Sequence, residues 1–317
     1  MKPLFIVNPR SGGGRTGQVF ESMRRPIERI VGPFDVAFTE GPRHASDLAE
    51  DGAIEGREVV VAVGGDGSIH EVTCGLMIAR EKGFTKAALG VLGQGTGGDF
   101  RRTLGLDHKL DHYLETIAAG RSRDVDVGHF TYQAFDGTER SAYFINILSV
   151  GMGGLVDRHV AEMGKSMPGT LAYFVASLRG LVESRIGHLA CTVWNGREER
   201  VVRLATRNIA ICNGRYFGSG MHVAPMADPS DGRFEIVSLG AAPKVKFALA
   251  SSRIYSGKHL ESPDVAHFPA EKIRIELENR EAEEQFLLDV DGEPLGKLPI
   301  TVEVRKGALR VLAPPSA

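Results

Sequence analysis

The segment Gly64-Gly65-Asp66-Gly67-Ser68 carries the strongest chemical signal in the sequence, because a carboxylate stands among three glycines directly after the apolar run Val59–Val63. Glycines let the backbone approach a ligand closely and adopt positive φ angles. The amides at the start of a following helix would suit phosphate oxygens, and the Asp66 carboxylate could hold Mg²⁺ beside them. A tight strand-to-helix turn capped by Asp66 would explain the aspartate and one glycine, but not all three glycines.

Two further glycine-rich segments repeat this pattern. Gly93-Gln94-Gly95-Thr96-Gly97-Gly98 leads into Asp99 and offers a hydroxyl and a second carboxylate. Its glycines match G-x-G-x-x-G, but they follow the fourth predicted strand and no acidic residue ends a strand about twenty residues later, so a dinucleotide fingerprint is discounted. Asn8-Pro9-Arg10-Ser11-Gly12-Gly13-Gly14-Arg15 fits phosphate contact through its arginines and lacks the Lys-Ser/Thr ending of a Walker A loop.

Three carboxylates fall close together near the carboxyl end of the chain, at Asp289, Asp291 and Glu293. The Asp291-Gly292 pair is also typical of a hairpin turn, and this simpler interpretation carries weight. The cluster as a whole could supply a general base and a metal ligand.

The elements that must position these groups follow from the hydrophobic pattern. Short β-branched runs at Leu4–Val7, Val36–Phe38, Val59–Val63 and Ala87–Leu92 predict strands, and helical patterns fill the gaps between them. The helix after Gly67 is predicted from an apolar face formed by Ile69, Val72, Leu76 and Met77. Alternating strands and helices predict a doubly wound parallel sheet, and ligands bind beyond the carboxyl ends of such strands.

The pattern changes after about Arg123, where short strands separated by turn signals predict a mostly β sandwich domain. The predicted strands are Tyr143–Val150, Leu189–Trp194, Asn208–Cys212, Phe234–Leu239, Ile273–Leu277, Phe286–Val290 and Ile300–Val304. One helical stripe interrupts them, formed by Leu171, Phe174, Val175, Leu178, Leu181 and Val182, and we interpret it as a helix packed on the sheet. The predicted domains are residues 1–125 and 126–305, with a return of about 306–317 to the first domain left open.

Composition bounds the class of protein. The chain has 317 residues, which suggests two domains, and a formal net charge of -2, which argues against a nucleic-acid binder. Its three cysteines are widely spaced, so neither a disulfide framework nor a cysteine-rich zinc site is expected. No signal peptide or transmembrane stretch is predicted, and the expected compartment is the cytoplasm.

In this order, the motifs resemble those of the diacylglycerol kinase and sphingosine kinase superfamily, in particular its bacterial YegS-like lipid kinase branch. The resemblance covers nearly the whole chain, and its nucleotide domain is of the NAD kinase and phosphofructokinase type. Besides the segments above, it rests on Asn213-Gly214-Arg215-Tyr216-Phe217-Gly218-Ser219-Gly220, Ala224-Pro225, Asp231-Gly232-Arg233-Phe234 and Asp291-Gly292-Glu293.

The resemblance implies an ATP-dependent lipid kinase that transfers the γ-phosphate of Mg-ATP to a lipid hydroxyl. Diacylglycerol, phosphatidylglycerol and sphingoid bases are the acceptors considered. The ATP-binding positions implied are Asn8, Thr39, Gly64, Gly65, Asp66, Gly67, Ser68, Ile69, His70, Thr96 and Asp99. Asp66 and Asp99 would act near the phosphates and the catalytic Mg²⁺, and Glu293 with Asp291 would take the proton from the lipid hydroxyl.

The resemblance also implies a structural Mg²⁺ site formed by the Asp231 carboxylate and the carbonyl groups of Asp228 and Arg233. Asp124 and Asp126 would support that site through water. An enzyme of this kind would serve phospholipid metabolism and bind the membrane surface peripherally, and a homodimer is left open.

Two positions depart from the family pattern Pro-x-Gly-Thr-x-Asn-Asp, since Gly93 replaces the proline and Gly98 replaces the asparagine. The lost amide of the asparagine could weaken a hydrogen bond in the ATP loop. Two alternatives are kept: an NAD kinase-like small-molecule kinase, which would share the nucleotide fold, and a non-catalytic nucleotide-binding regulator, which the replacement of the asparagine by Gly98 makes conceivable. An NAD-dependent dehydrogenase is a more distant alternative.

Overall fold

The computed structural model describes residues 2–95, 97–163, 169–291 and 293–315. Of residues 157, 161–163, 169–174, 178, 293 and 294 it describes the backbone alone. The chain divides into two compact units, the first formed by Met1–Val127 with Lys306–Ala317 and the second by Gly128–Arg305.

The first unit alternates strands and helices. Its elements are β1 (Leu4–Val7), α1 (Ser11–Gly14), α2 (Thr16–Ile30), β2 (Asp35–Phe38), α3 (His44–Ile54), β3 (Val59–Gly64), α4 (Asp66–Glu81), β4 (Ala88–Gly93), α5 (Asp99–Thr103), α6 (Leu110–Ala119) and the start of β5 (Ser122–Ala134). The element α1 is a single turn with left-handed φ angles at Gly12 and Gly13.

The strands of this unit form a parallel sheet in the order β4, β3, β1, β2. Its strands β1, β3 and β4 are almost wholly buried, which agrees with near-continuous apolar runs covered on both faces. The four predicted strands and the helix after Gly67 are confirmed, and the predicted apolar face of α4 is buried. Arg310 and Val311, near the end of the chain, add a further parallel pairing beside β4.

The second unit is mostly β. It contains the remainder of β5, then β6 (Glu139–Phe144), β7 (Ile147–Gly151), α7 (Met152–Met163), α8 (Gly169–Glu183), β8 (Gly187–Asn195), β9 (Glu198–Thr206), β10 (Asn208–Cys212), β11 (Phe234–Ser238), α9 (Lys244–Ala250), β12 (Ala266–Ala270), β13 (Lys272–Leu277), β14 (Leu287–Val290) and most of β15 (Glu293–Leu312). Three short 3-10 helices lie at Ser251–Ser256, Lys258–Glu261 and Arg280–Gln285.

Antiparallel pairing joins these strands. Strands β12, β11, β10, β7, β14 and β15 are neighbours in that order, and β13 pairs with both β15 and β8. Residues from β5 to β15 share one apolar core, in which Phe130, Phe144 and Phe234 contact one another in succession at ring-centroid separations of 6.1 and 5.4 Å. Aromatic rings at such separations contribute burial and edge contacts that fix the packing of the strands.

Two sequence predictions in this unit need correction or comment. The predicted strand Tyr143–Val150 is two strands, β6 and β7, with Ile145 and Asn146 between them. The predicted helix is present as α8, but of its apolar stripe Val182 is exposed while Leu181 is buried. The side chains of Leu171, Phe174 and Leu178 lie outside what the structure describes.

Candidate active site

Strand register brings the predicted nucleotide loops to one edge of the parallel sheet. Val7 lies opposite Phe38 and Val63, and Gly64 lies opposite Gly93, so β1 to β4 all end together. Asn8 and Thr39 continue this pairing, because their amides donate to the carbonyls of Val63 and Val7 at 3.0 and 2.9 Å. Thr96 lies outside the described residues.

The loops after β3 and β4 approach too closely for side chains. A Cβ on Gly95 would lie 2.5 Å from the Cα of Gly65, and the amides of Gln94 and Gly95 donate to the carbonyl of Gly64 at 2.7 and 3.2 Å. In chain order, we call the glycine-rich loops after β1, β3 and β4 the first, second and third loops. The first loop approaches the other two, since a Cβ on Gly12 would lie 2.7 Å from the carbonyl oxygen of Gln94. The glycines therefore let the three loops pack closely together. The sequence showed that each loop is rich in glycine, and the structure gives the reason, which is that side chains would not fit between the loops.

A short polar network fixes the first loop to helix α4. The Asn8 side-chain amide donates to the Ser68 hydroxyl at 3.2 Å, and the Ser11 hydroxyl donates to the Asn8 carbonyl at 2.9 Å. Gly64 admits this arrangement, because a Cβ there would lie 2.2 Å from the Ser68 hydroxyl oxygen. Asn8 and Ser68 are thus brought together as the predicted site requires.

Helix α4 begins at Asp66 and points its first turn at this edge. Helix geometry leaves the amides of Asp66 and Gly67 without an intrahelical partner, so they are available to an anion. Ile69 and His70 are buried within the helix, and the amide of Ile69 donates to the Gly65 carbonyl at 3.2 Å. Their side chains therefore contribute packing at this site rather than an exposed polar group.

The Asp66 carboxylate reaches across to the next helix. Its Oδ2 accepts the amide of Asp99 at 3.2 Å, and its Oδ1 accepts the amide of Phe100 at 3.1 Å. The carboxylate thereby caps α5 and ties the second and third glycine loops together. Asp66 is only partly buried, and each of its oxygens keeps a second lone pair, so the group fits a Mg²⁺ ligand in chemical type.

Asp99 is almost fully buried and forms an ion pair with Arg102, whose Nη1 lies 2.7 Å from Asp99 Oδ1 and 2.7 Å from the Gly97 carbonyl. The sequence prediction did not include Arg102. The i, i+3 spacing of an acid and an arginine on one short helix was the available signal. Burial lowers the pKa of His108, and the positive charges of Arg101 and Arg102 lower it further.

The two departures from the family pattern have physical explanations. Gly98 has a φ of +64°, a left-handed conformation that glycine and asparagine both tolerate. Gly93 packs against Tyr113, and a Cβ there would lie 2.6 Å from the phenol oxygen. Burial raises the pKa of Tyr113 to about 12, so its hydroxyl stays protonated beside His108 Nδ1 at 3.0 Å.

In the second unit, the Asp291 carboxylate is fully engaged by the backbone. Its oxygens accept the amides of Ile145, Asn146 and Ile147 at 3.0, 3.1 and 2.9 Å. Asp291 itself has a φ of +51°, an uncommon conformation that aspartate tolerates better than most residues. Three backbone donors on one carboxylate hold the segment between β6 and β7, so the geometry favours a structural role for Asp291.

Asp289 is also buried and lies 3.3 Å from the Ser149 hydroxyl, which donates to it. Glu293 begins β15 and pairs with Val290 in the hairpin, but its side chain lies outside the described residues. Of the three clustered carboxylates, Asp289 and Asp291 are therefore committed to neighbours within the fold.

The predicted structural metal position contains a closed turn. Asp231 accepts the amide of Arg233 at 3.1 Å through Oδ1 and pairs with the Arg233 guanidinium at 3.0 Å through Oδ2, while its own amide donates to the Asp228 carbonyl at 3.3 Å. One carboxylate and two carbonyls are oxygen donors of the type that Mg²⁺ prefers, but the guanidinium would have to move for the carboxylate to face a cation. Among the described residues no group of three or more His, Cys, Asp or Glu side chains is arranged to hold a metal.

The two aspartates expected to support that metal position belong to the first unit. Asp126 is buried and accepts the amide of Gly307 at 2.7 Å through Oδ1. This bond ties the start of β5 to the late part of β15. Asp124 lies beside Gly307, since a Cβ on that glycine would be 3.5 Å from the Cβ of Asp124.

Comparison with known proteins shows that the two parts of the chain match two family models. Residues 2–130 match the diacylglycerol kinase catalytic domain, and residues 146–313 match the YegS C-terminal NAD kinase beta sandwich-like domain. The diacylglycerol kinase of Bacillus subtilis (strain 168) is 26% identical over 306 residues, which cover 93% of this chain and 90% of the relative. The "Probable lipid kinase YegS" of Salmonella newport (strain SL254) is 27% identical over 266 residues, covering 82% of this chain and 79% of the relative.

Solved structures agree on the fold. A diacylglycerol kinase from Bacillus anthracis str. Sterne aligns with a TM-score of 0.71 at 20% identity, covering 99% of this chain and 97% of that chain. Yeast NADH kinase complexed with NADH aligns with a TM-score of 0.50 at 12% identity, covering 99% and 84%. Together with the β sandwich-like family model, they confirm the predicted fold class of a parallel α/β domain followed by a mostly β domain.

Proposed function

The chain belongs to the family of diacylglycerol kinases and YegS-like lipid kinases, and we propose that it transfers the γ-phosphate of Mg-ATP to a hydroxyl group of a lipid. The observation that carries the ATP half of this proposal is the approach of Gly95 to Gly65 beside the open amides of α4. Backbone amides at a helix N-terminus, with glycines that admit no side chain, form a favourable environment for phosphate oxygens.

The residues of the first unit would bind and orient the nucleotide. Asn8 and Ser68 hold the first loop against α4, and Thr39 supplies a hydroxyl group directly after β2. Thr96 is proposed as an ATP-binding residue on the family resemblance alone. Phosphoryl transfer depends mainly on positioning and on neutralising the charge of the phosphates. Asp66 is the proposed Mg²⁺ ligand, and a bound Mg²⁺ would neutralise phosphate charge; Asp99, paired with Arg102, would keep the loop in shape.

Glu293 is the residue we propose as the general base for the lipid hydroxyl. Asp291 is less suited, because its carboxylate accepts three backbone amides. Its role in this proposal is to hold the backbone of Ile145 to Ile147 beside the hairpin in which Glu293 pairs with Val290. We also propose that Asp231 with the carbonyls of Asp228 and Arg233 binds a structural Mg²⁺, which would require the Arg233 guanidinium to turn away from Asp231.

The proposed acceptor is a diacylglycerol-like lipid, since the family model that matches residues 2–130 and the Bacillus subtilis relative are both named for diacylglycerol kinase. Phosphatidylglycerol and sphingoid bases share the same chemistry of a hydroxyl group beside apolar chains. A lipid acceptor implies work at a membrane surface, and the structure has, within its described ranges, no helix long and apolar enough to span a bilayer.

The test is incubation of the pure protein with labelled ATP and a panel of lipid acceptors, with NAD as a separate arm. Labelled phosphate in a lipid product, dependent on Mg²⁺ and lost in Glu293→Gln, is the expected result. Labelling of NAD alone would replace the proposal with a small-molecule kinase. ATP binding without transfer to any acceptor would favour a regulator.

A further inference from the structure

Helix α9 exposes apolar side chains to an unusual degree. Val245 is 74% exposed and Leu249 is 77% exposed, the two largest fractions among the large hydrophobic side chains that the structure describes. They stand four residues apart on α9 and therefore share one face of the helix. No residue of α9 is buried, so this face does not serve the core.

Two further apolar side chains belong to the same part of the second unit. Tyr255, in the 3-10 helix that follows α9, is 56% exposed. Val182, at the end of α8, is 64% exposed, and its carbonyl accepts the Lys244 ammonium at the start of α9. We call the four side chains of Val182, Val245, Leu249 and Tyr255 the α9 patch.

The segment that contains most of the α9 patch is basic in sequence. From residue 244 to residue 258 the chain contains Lys244, Lys246, Arg253 and Lys258 but no aspartate or glutamate, although the whole chain has a net charge of -2. Surface partners offset part of this charge, because Lys246 pairs with Asp264 and Arg253 pairs with Glu261. The exposed apolar and basic side chains are nonetheless interleaved in one short segment.

We propose that the α9 patch docks on an anionic lipid surface, with Val245 and Leu249 entering the interface and the neighbouring lysines facing the lipid headgroups. Exposed apolar side chains gain free energy when they leave water for the boundary of the acyl chains, and nearby cations are attracted to anionic headgroups. Charge complementarity selects this occupant over a second copy of the chain, because two copies meeting through this face would bring their lysines together. The inference rests on the proposed function, since a lipid acceptor is presented at such a surface.

The experiment measures co-sedimentation of the full chain with phosphatidylcholine vesicles, with and without phosphatidylglycerol, in the absence of nucleotide. We expect binding to the anionic vesicles that weakens as salt is raised. The double variant Val245→Asp with Leu249→Asp should lower this binding about tenfold or more, because it replaces the inserted apolar groups with charges that oppose the surface. Lys258→Glu should weaken binding to the anionic vesicles and leave the neutral ones unaffected.

The matched control is the double variant Phe135→Asp with Val201→Asp, which adds the same charge at two other exposed apolar positions of the second unit. It should bind vesicles as the unmodified chain does. Equal loss in both double variants, or no vesicle binding by the unmodified chain, would overturn the proposal. A change in oligomeric state in the α9 variant alone, seen by light scattering, would assign the patch to a contact between copies and also overturn it.

Failure of the docking inference can be told apart from failure of the kinase assignment. Vesicle binding is measured without ATP, and transfer of labelled phosphate to a short-chain acceptor dispersed in detergent needs no vesicle. The α9 variant should therefore keep its activity on the dispersed acceptor while it loses vesicle binding. If the protein binds vesicles but transfers labelled phosphate to no lipid, the docking proposal would stand and the proposed kinase reaction would be rejected.

Discussion

The Asp66 carboxylate accepts the backbone amide of Asp99 at 3.2 Å, although the two residues belong to different helices and different glycine loops. The aspartate proposed to bind Mg²⁺ is therefore also a cap for the helix that follows the next strand. A side chain with both roles cannot be removed without a structural cost, which changes how substitutions at this position must be interpreted.

Replacing Asp66 should lower both turnover and stability. Asp66→Ala removes two hydrogen bonds to backbone amides and should reduce the free energy of unfolding by about 1–2 kcal/mol, whereas Asp66→Asn keeps one acceptor oxygen and should cost less. Both variants should lose phosphate transfer. Urea unfolding and the labelled-ATP assay measure the two effects, with the exposed Asp47→Ala in the first turn of α3 as the control. Transfer at the unmodified rate in Asp66→Asn would reject the proposed Mg²⁺ role.

Loss of the negative charge should affect stability at Asp291 and phosphate transfer at Glu293. Asp291→Asn sets an amide group against three backbone donors and should lower the free energy of unfolding by about 2 kcal/mol or more. Glu293→Gln should change stability by less than about 0.5 kcal/mol and abolish transfer, while ATP binding is retained. Unfolding curves and nucleotide titrations separate the two. A stable, inactive Asp291→Asn would instead identify Asp291 as the base.

The close approach of the second and third loops predicts a strict requirement for glycine at position 95. Gly95→Ala would place a methyl group against the Gly65 backbone, so the loops must separate. We expect a loss of about 1–3 kcal/mol in the free energy of unfolding together with weaker ATP binding. Gly41→Ala is the control, because no atom lies near the position of its Cβ and its φ is not left-handed. Equal ATP affinity in the two variants would contradict the proposed phosphate cradle.

Two histidines of the second unit should make the protein less stable in acid. Burial lowers the pKa of His259 and of His222 from the ordinary value of 6.5. The hydrogen bond from His259 to the Val223 carbonyl opposes part of this effect on His259, while nearby positive groups, His222 and Arg253 for His259 and Arg215 for His222, lower the pKa further. The unfolded chain therefore binds more protons below pH 6.5, so the free energy of unfolding should fall as pH drops through that value. Urea unfolding at about pH 7.5 and about pH 6 measures the slope.

The slope should shrink in His259→Gln and persist in the control His188→Gln, because His188 is exposed. Glu235 acts in the opposite direction at lower pH, since burial raises the pKa of its carboxyl from 4.5. Stability that is flat or rises between the two pH values would contradict the assignment of His222 and His259.

The sequence predicted the sheet of the first unit well because local pattern and tertiary burial agree there. The runs Leu4–Val7 and Val59–Val63 are short, wholly apolar and contain β-branched residues, as expected of strands buried on both faces. The same reasoning failed at Tyr143–Val150. That run is broken at Ile145 and Asn146 by hydrogen bonds to Asp291, a residue that local pattern cannot connect to it. The sequence analysis also did not predict β9. Most residues of this strand are exposed and several are charged, so the alternation of apolar and polar residues that indicates a strand is weak.

For the candidate site, the sequence indicated which loops would converge but not how they are held. Parallel strands that end together bring Asn8 and Gly65 to one edge, and that follows from topology. The pairing of Asp66 with the amides of α5, and the place of Tyr113 under Gly93, depend on three-dimensional distances between loops. Arg102 was overlooked because either of two adjacent arginines on a five-residue helix has many ordinary surface roles.

The pairing of Arg310 with Ala88 has a consequence for the order in which the protein is made. Strand β4 is synthesised early, yet a neighbour on one side of it comes from the late part of β15, and the whole second unit is translated between them. Until residues 310 and 311 have been synthesised, the backbone groups of β4 that pair with them lack these partners. Unpaired backbone groups at a strand edge can pair with another chain and so promote aggregation. The sheet of the first unit is therefore completed only after the whole second unit has been translated, although most of the first unit precedes the second in the chain.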